Sequence, residues 1–144
     1  MRKTTKPKAA ATRWAKELIA VAARARQQAV APYSNFKVGA ALQAATGEII
    51  TGANVESASY GLTCCAERVA LFTALTAGHR RFTAVAVVGR VPGGAMPCGA
   101  CRQLLAEYAP EARVLVADSK KLGTWREFTV AKLLPGAFLG DALV

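Results

Sequence analysis

The spacing of apolar side chains changes period several times along the chain, and each change marks an element. Over 13–30, Trp14, Leu18, Val21, Ala22, Ala25 and Ala29 recur at three- and four-residue intervals, the signature of a helix with one buried face. Thr12 is placed to cap its start, and Pro32 sits just past its end. Two short apolar runs, 38–45 and 48–55, flank Thr46-Gly47 and predict a β-hairpin. Helical spacing returns over 65–77, apolar at Val69, Leu71, Phe72 and Leu75 and closed by Gly78. A valine-rich run at 83–88 predicts a buried strand, and a Gly/Pro-rich loop covers 89–97. Pro97 then starts a third helix over 98–108. Strands at 113–117 and 125–130 and a short helix at 129–134, ended by Pro135, follow.

This order, α-β-β-α-β-α-β-β-α, predicts an α/β fold: a three-layer α-β-α sandwich whose sheet of about five strands is mixed because it begins with a hairpin. No internal repeat is present. The organisation expected is a single domain over 13–144 preceded by a basic, flexible tail over 1–12.

Composition narrows the class. A chain of 144 residues can bury a core as one domain, and 53% hydrophobic against 19% charged residues reads as globular. No apolar run approaches the length of a membrane-spanning helix, and the first residues lack the apolar core of a secretory signal. A cytoplasmic setting is therefore expected, where four cysteines suggest metal ligands or reactive thiols rather than a disulfide framework. The net charge is +10, and Arg2, Lys3, Lys6, Lys8 and Arg13 supply half of it in a stretch without an acid. The reading preferred is a solvated tail. No aromatic residue is interleaved with the charges over 1–8, as a base-stacking strip would need, so nucleic acid stands as a minor alternative.

The chemistry concentrates in C-A-E at 65–67 and P-C-G-A-C at 97–101. Cys65, Cys98 and Cys101 offer three thiolates, enough to hold one Zn²⁺ and leave its fourth tetrahedral position for water. Glu67 stands two residues from the first thiolate, where it can serve that water as acid and base. Together they form the signature of the zinc-dependent base deaminases in its three-cysteine form. Cys98 and Cys101 are one helical turn apart, and all three cysteines are expected in the first turns of helices, where thiolates are favoured. Three thiolates and a divalent ion sum to one negative charge. Arg68 is the residue expected to offset it; for Arg102, contact with sulfur and surface solvation stay equally open. A closed zinc site would need a fourth protein ligand. Neither Cys64, adjacent to Cys65 and read as a small buried residue, nor His79, the sole histidine and read as a surface residue, competes well with water.

Beyond these motifs the chain resembles the small homotetrameric cytidine deaminases that act on free nucleosides. The resemblance runs from Trp14 to Phe138. It rests on A-P-Y-S-N-F-K-V-G-A-A-L at 31–42, N-V-E at 54–56 with Tyr60, C-A-E-R at 65–68, P-C-G-A-C-R-Q at 97–103 and L-L-P-G-A-F at 133–138. It implies hydrolytic deamination of cytidine and 2′-deoxycytidine, one zinc ion per subunit, and a homotetramer whose sites are completed across subunits. It also implies that Asn54 and Glu56 grip the ribose 3′-hydroxyl and that Phe36 lies beside the nucleoside. By the same resemblance Phe138 stacks on the base in a neighbouring subunit's site and Tyr60 lines a neighbouring pocket; the Ala66 backbone and an amide of a cysteine-bearing helix are the groups expected to hold the pyrimidine edge. The rival readings are a polynucleotide deaminase, a drug-nucleoside deaminase of the blasticidin S type, and a non-enzymatic zinc module. Glu56 argues against the second, and the apparent grip on a free 3′-hydroxyl against the first.

Overall fold

The computed structural model describes residues 9–143. Five strands form one sheet in the order β2-β1-β3-β4-β5: β1 (Val38–Ala44), β2 (Ile49–Ala53), β3 (Phe82–Gly89), β4 (Arg113–Asp118) and β5 (Trp125–Thr129). The β1–β2, β1–β3 and β4–β5 pairs are antiparallel and β3–β4 is parallel, so the sheet is mixed as expected. Burial explains the strand sequences. In β3, from Ala84 onward, every residue is buried, because a central strand covered on both faces has no solvent side and shows no alternation. The edge strand β5 is at most half-buried throughout.

Helices cover both faces. Helix α1 (Ala9–Ala25) lays Ala15, Leu18, Ile19 and Ala22 on one face, against Ala41, Ala84, Ala86, Val88 and Leu115. Helices α2 (Ala66–Thr76) and α3 (Gly99–Tyr108) cover the other, where Ala70, Leu71 and Leu105 meet Leu42, Val85, Val87, Val114 and Val116. The short α4 (Val130–Leu133) packs beside α3 and is capped by the Thr129 side chain. Gly52 sets how closely α2 approaches: a Cβ there would overlap the Ala66 carbonyl oxygen and crowd the Ala70 amide of that helix.

Helix α1 departs from expectation at both ends. It begins by Ala9, so Thr12 lies inside it rather than at its cap, and 9–12 are helical rather than tail; Ala9, Ala10 and Ala11 are the strongest helix formers. Residues 1–8, which carry all four basic side chains of the expected tail, lie outside the described residues. The helix also stops early, at Ala25, followed by a 3-10 turn over Arg26–Gln28. Residues 29–31 are drawn into extended pairing with the segment after β2: the Val30 amide donates to the Asn54 carbonyl at 2.9 Å, and the Glu56 amide donates to the Val30 carbonyl at 2.9 Å. Among the described residues, no helix is long and apolar enough to cross a membrane.

Candidate active site

The site lies at the carboxyl end of β3, where ligands enter open α/β sheets. Two helices begin there with a cysteine. Cys65 caps α2 and Cys98 caps α3, each with extended backbone rather than within the first turn, and neither thiol is spent on its own helix's amides. Cys101 follows in the first turn of α3. The Cys65 and Cys98 sulfurs are 3.8 Å apart and those of Cys98 and Cys101 3.6 Å. All three lie within 4.8 Å of one another. Tetrahedral ligands at a Zn–S distance of about 2.3 Å stand about 3.8 Å apart, so these thiols suit the ion. Among the described residues the cluster has three members. Cys64 is half-buried rather than fully so, and outside the cluster; its thiol is pushed up by burial. His79 is half-buried and pairs with Glu48 at 2.9 Å.

The electrostatics favour an ionised Cys65. Its thiol is lowered to about 5, first by hydrogen bonding from the Cys101 thiol and then by Arg68, against the cost of burial. Cys101, as the proton holder in that pair, shifts up. The Arg68 Nη2 donates to the Cys65 sulfur at 3.4 Å and to the Thr63 carbonyl at 3.1 Å, so the guanidinium ties the first thiolate to the strap that precedes it. Arg102 does not touch sulfur. Its Nε donates to the Pro97 carbonyl at 2.8 Å and its Nη1 to the Leu133 carbonyl at 3.0 Å. Glu67 is only 6% exposed, and burial pushes its carboxyl upward, opposed by hydrogen bonding from its own amide.

Beside the thiols is a pocket of about 200 Å³, lined by Phe36, Asn54, Cys65, Glu67, Met96 and Cys98 among others. Asn54 is buried and holds its wall. The Val38 amide donates to its Oδ1 and its Nδ2 donates to the Phe36 carbonyl, both at 2.8 Å. Glu56 stands next to this wall without lining the pocket. Its Oε1 accepts from the Ser34 amide at 3.2 Å and hydroxyl at 3.1 Å, and the Phe36 amide donates to the same hydroxyl at 2.9 Å. Ala66 is buried at the pocket floor. Tyr60 and Phe138 are elsewhere, 80% and 61% exposed on the surface and not against this chain's own pocket.

Sequence reasoning passed over Ser34, Thr63, Ala95 and Met96. Ser34 lies inside the Y-S-N-F block and was within reach; the other three have no spacing signature.

The three thiols, the buried acid and the adjoining pocket agree with what comparison finds. The family model described as the cytidine and deoxycytidylate deaminase zinc-binding region matches residues 12–117. The chain belongs to this family. It is 50% identical over 125 residues to a cytidine deaminase of Halalkalibacterium halodurans, covering 86% of this chain and 93% of that one. It is equally 50% identical over 127 residues to the cytidine deaminase of Sporosarcina psychrophila, covering 88% and 93%. A crystal structure of cytidine deaminase from Burkholderia pseudomallei superposes with a TM-score of 0.81 at 51% identity, covering 85% of this chain and 97% of that one. The zinc-binding character of the family and the fit of Cys65, Cys98 and Cys101 to the ion assign the cofactor.

Proposed function

We propose that this protein hydrolyses free cytidine and 2′-deoxycytidine to uridine and 2′-deoxyuridine, releasing ammonia. The observation that carries the reading is a buried carboxyl, Glu67, in the same pocket as a three-thiol cluster suited to zinc. Cys65, Cys98 and Cys101 would hold the zinc ion, which would supply the Lewis acidity that lets a water give up a proton near neutral pH. Glu67 accepts that water's proton and delivers it to N3 of the pyrimidine, leaving C4 electrophilic. The water oxygen bonds to C4. Glu67 then takes the remaining proton from the C4 hydroxyl and hands it to the exocyclic nitrogen; as C4=O forms, the C4–N bond breaks and ammonia leaves. Burial suits the carboxyl to this shuttle, because it makes the neutral form easier to reach.

The other residues bind and orient. Asn54 keeps one Nδ2 hydrogen after holding Phe36 and Val38, and Glu56 keeps its Oε2 after holding Ser34. Those remaining groups suit a ribose hydroxyl, one as donor and one as acceptor. Phe36, 40% exposed at the pocket mouth, offers its ring to the nucleoside, and the Ala66 backbone meets the pyrimidine edge. Arg68 stabilises the Cys65 thiolate. The assembly proposed is a homotetramer with one zinc per subunit, in which Phe138 and Tyr60 serve neighbouring pockets; their exposure in the single chain supports it. A cytoplasmic location suits three thiols that must stay reduced.

The test is turnover of cytidine by zinc-loaded protein, with cytidine and deoxycytidine 5′-monophosphates beside it. Rapid conversion of the nucleosides alone is expected. Preference for a monophosphate would move the reading to nucleotide deamination, and no conversion of any of them would overturn it.

A further inference from the structure

One wall of the pocket, Ala95 and Met96, belongs to an irregular segment that runs from the end of β3 to Cys98. It is fastened at three points. Gly94 is buried at φ 93° against β4, where a Cβ would lie 2.8 Å from the Ala117 nitrogen and 2.9 Å from the Val116 carbonyl carbon. The Arg102 Nε takes the Pro97 carbonyl at 2.8 Å. The third fastening comes from the edge strand: the Arg126 Nε donates to the Gly93 carbonyl at 2.8 Å. Arg126 and Phe128 are two residues apart on one face of β5, and the guanidinium carbon stands 5.6 Å from the Phe128 ring centroid. Among the described residues no carboxylate pairs with Arg126. An exposed cation normally turns to water or an acid. This one rests on an aromatic ring and spends its Nε on a neutral carbonyl, the arrangement of a strut.

We propose that Arg126 is a positioning residue for substrate binding: it holds Gly93 so that Ala95 and Met96 stand as the pocket wall. The proposal rests on the reading of that pocket as the nucleoside site. Arg126 touches no reacting atom, so its loss should loosen binding rather than chemistry. Losing a hydrogen bond from a charged donor corresponds to about a tenfold change in an equilibrium.

The experiment compares Arg126→Met, which keeps an apolar stem over Phe128, and Arg126→Lys, which keeps the charge and a donor, with the unaltered zinc-loaded protein. Cytidine kinetics, zinc content and amide hydrogen exchange are measured for each. In Arg126→Met the KM should rise about tenfold with kcat within about twofold, zinc retained, and exchange faster at Gly94 to Met96 only. Arg126→Lys should recover part of both effects. An unchanged KM overturns the proposal, even if the segment exchanges faster, because the strut would then hold the loop and not the pocket. Loss of zinc, or faster exchange across the sheet, overturns it as well by making Arg126 a general stabiliser. An unaltered protein without cytidine turnover would instead sink the proposed function, and this proposal with it.

Discussion

Glu67 owes its place in the site to where its helix starts. Cys65 caps α2, which puts Glu67 in the first turn, buried beside the sulfur cluster. Replacing it with glutamine keeps the shape and removes the proposed proton carrier. Glu67→Gln should retain zinc, measured by metal analysis, while kcat for cytidine falls about a thousandfold or more. The same variant tests the burial. The folded carboxyl ionises above its ordinary 4.5, so the folded state holds the proton more tightly than the unfolded chain does. The penalty for ionising is therefore absent at low pH and grows as pH rises. In chelated protein, the Tm of Glu67→Gln relative to the unaltered chain should climb as pH rises above the ordinary 4.5; a flat difference would refute the buried-acid reading. The thiols and Glu67 were legible in the sequence because their chemistry depends on short, fixed spacing. Arg102 was not. Its two partners are carbonyls, one of them 31 residues away, and no local pattern announces such a bond.

The elements themselves were legible wherever burial follows periodicity: all five strands and the four helices stand close to where the apolar pattern puts them. The ends were not. Helix α1 gives way at Ala25 because residues 29–31 pair with the segment after β2, a long-range demand invisible to local propensity. The same kind of contact makes Gly52 the hinge between packing and chemistry. A side chain there pushes against the backbone of α2, whose start carries Cys65 and Glu67. Gly52→Val should cost roughly 3 kcal/mol in denaturant unfolding. It should also lower kcat about tenfold or more, since small displacements of a positioned acid are expensive. A variant that unfolds earlier but keeps full kcat would mean that α2 moves as a unit without disturbing its first turn.

For the whole molecule, the apolar pattern disclosed layers and sheet, while the neighbour was implied by the family resemblance alone. A single chain leaves Tyr60, Leu62, Phe138 and Leu143 each more than 60% exposed, and the homotetramer proposed would give them cover. Mass measurement in solution should therefore report four chains. Phe138→Ala should lower kcat/KM for cytidine about tenfold with zinc content unchanged, or the cross-subunit role of that ring is wrong. The three-thiol cluster also has a mechanical consequence. Cys65 and Cys98 are 33 residues apart in the chain, separated by α2 and β3. An ion joining them is a cross-link that closes a long loop and staples the starts of two helices together, in addition to any part in turnover. Chelation should therefore cost roughly ten degrees of Tm, recoverable on adding zinc back. A cell short of zinc would lose this protein to unfolding and proteolysis, and its abundance would track the metal supply.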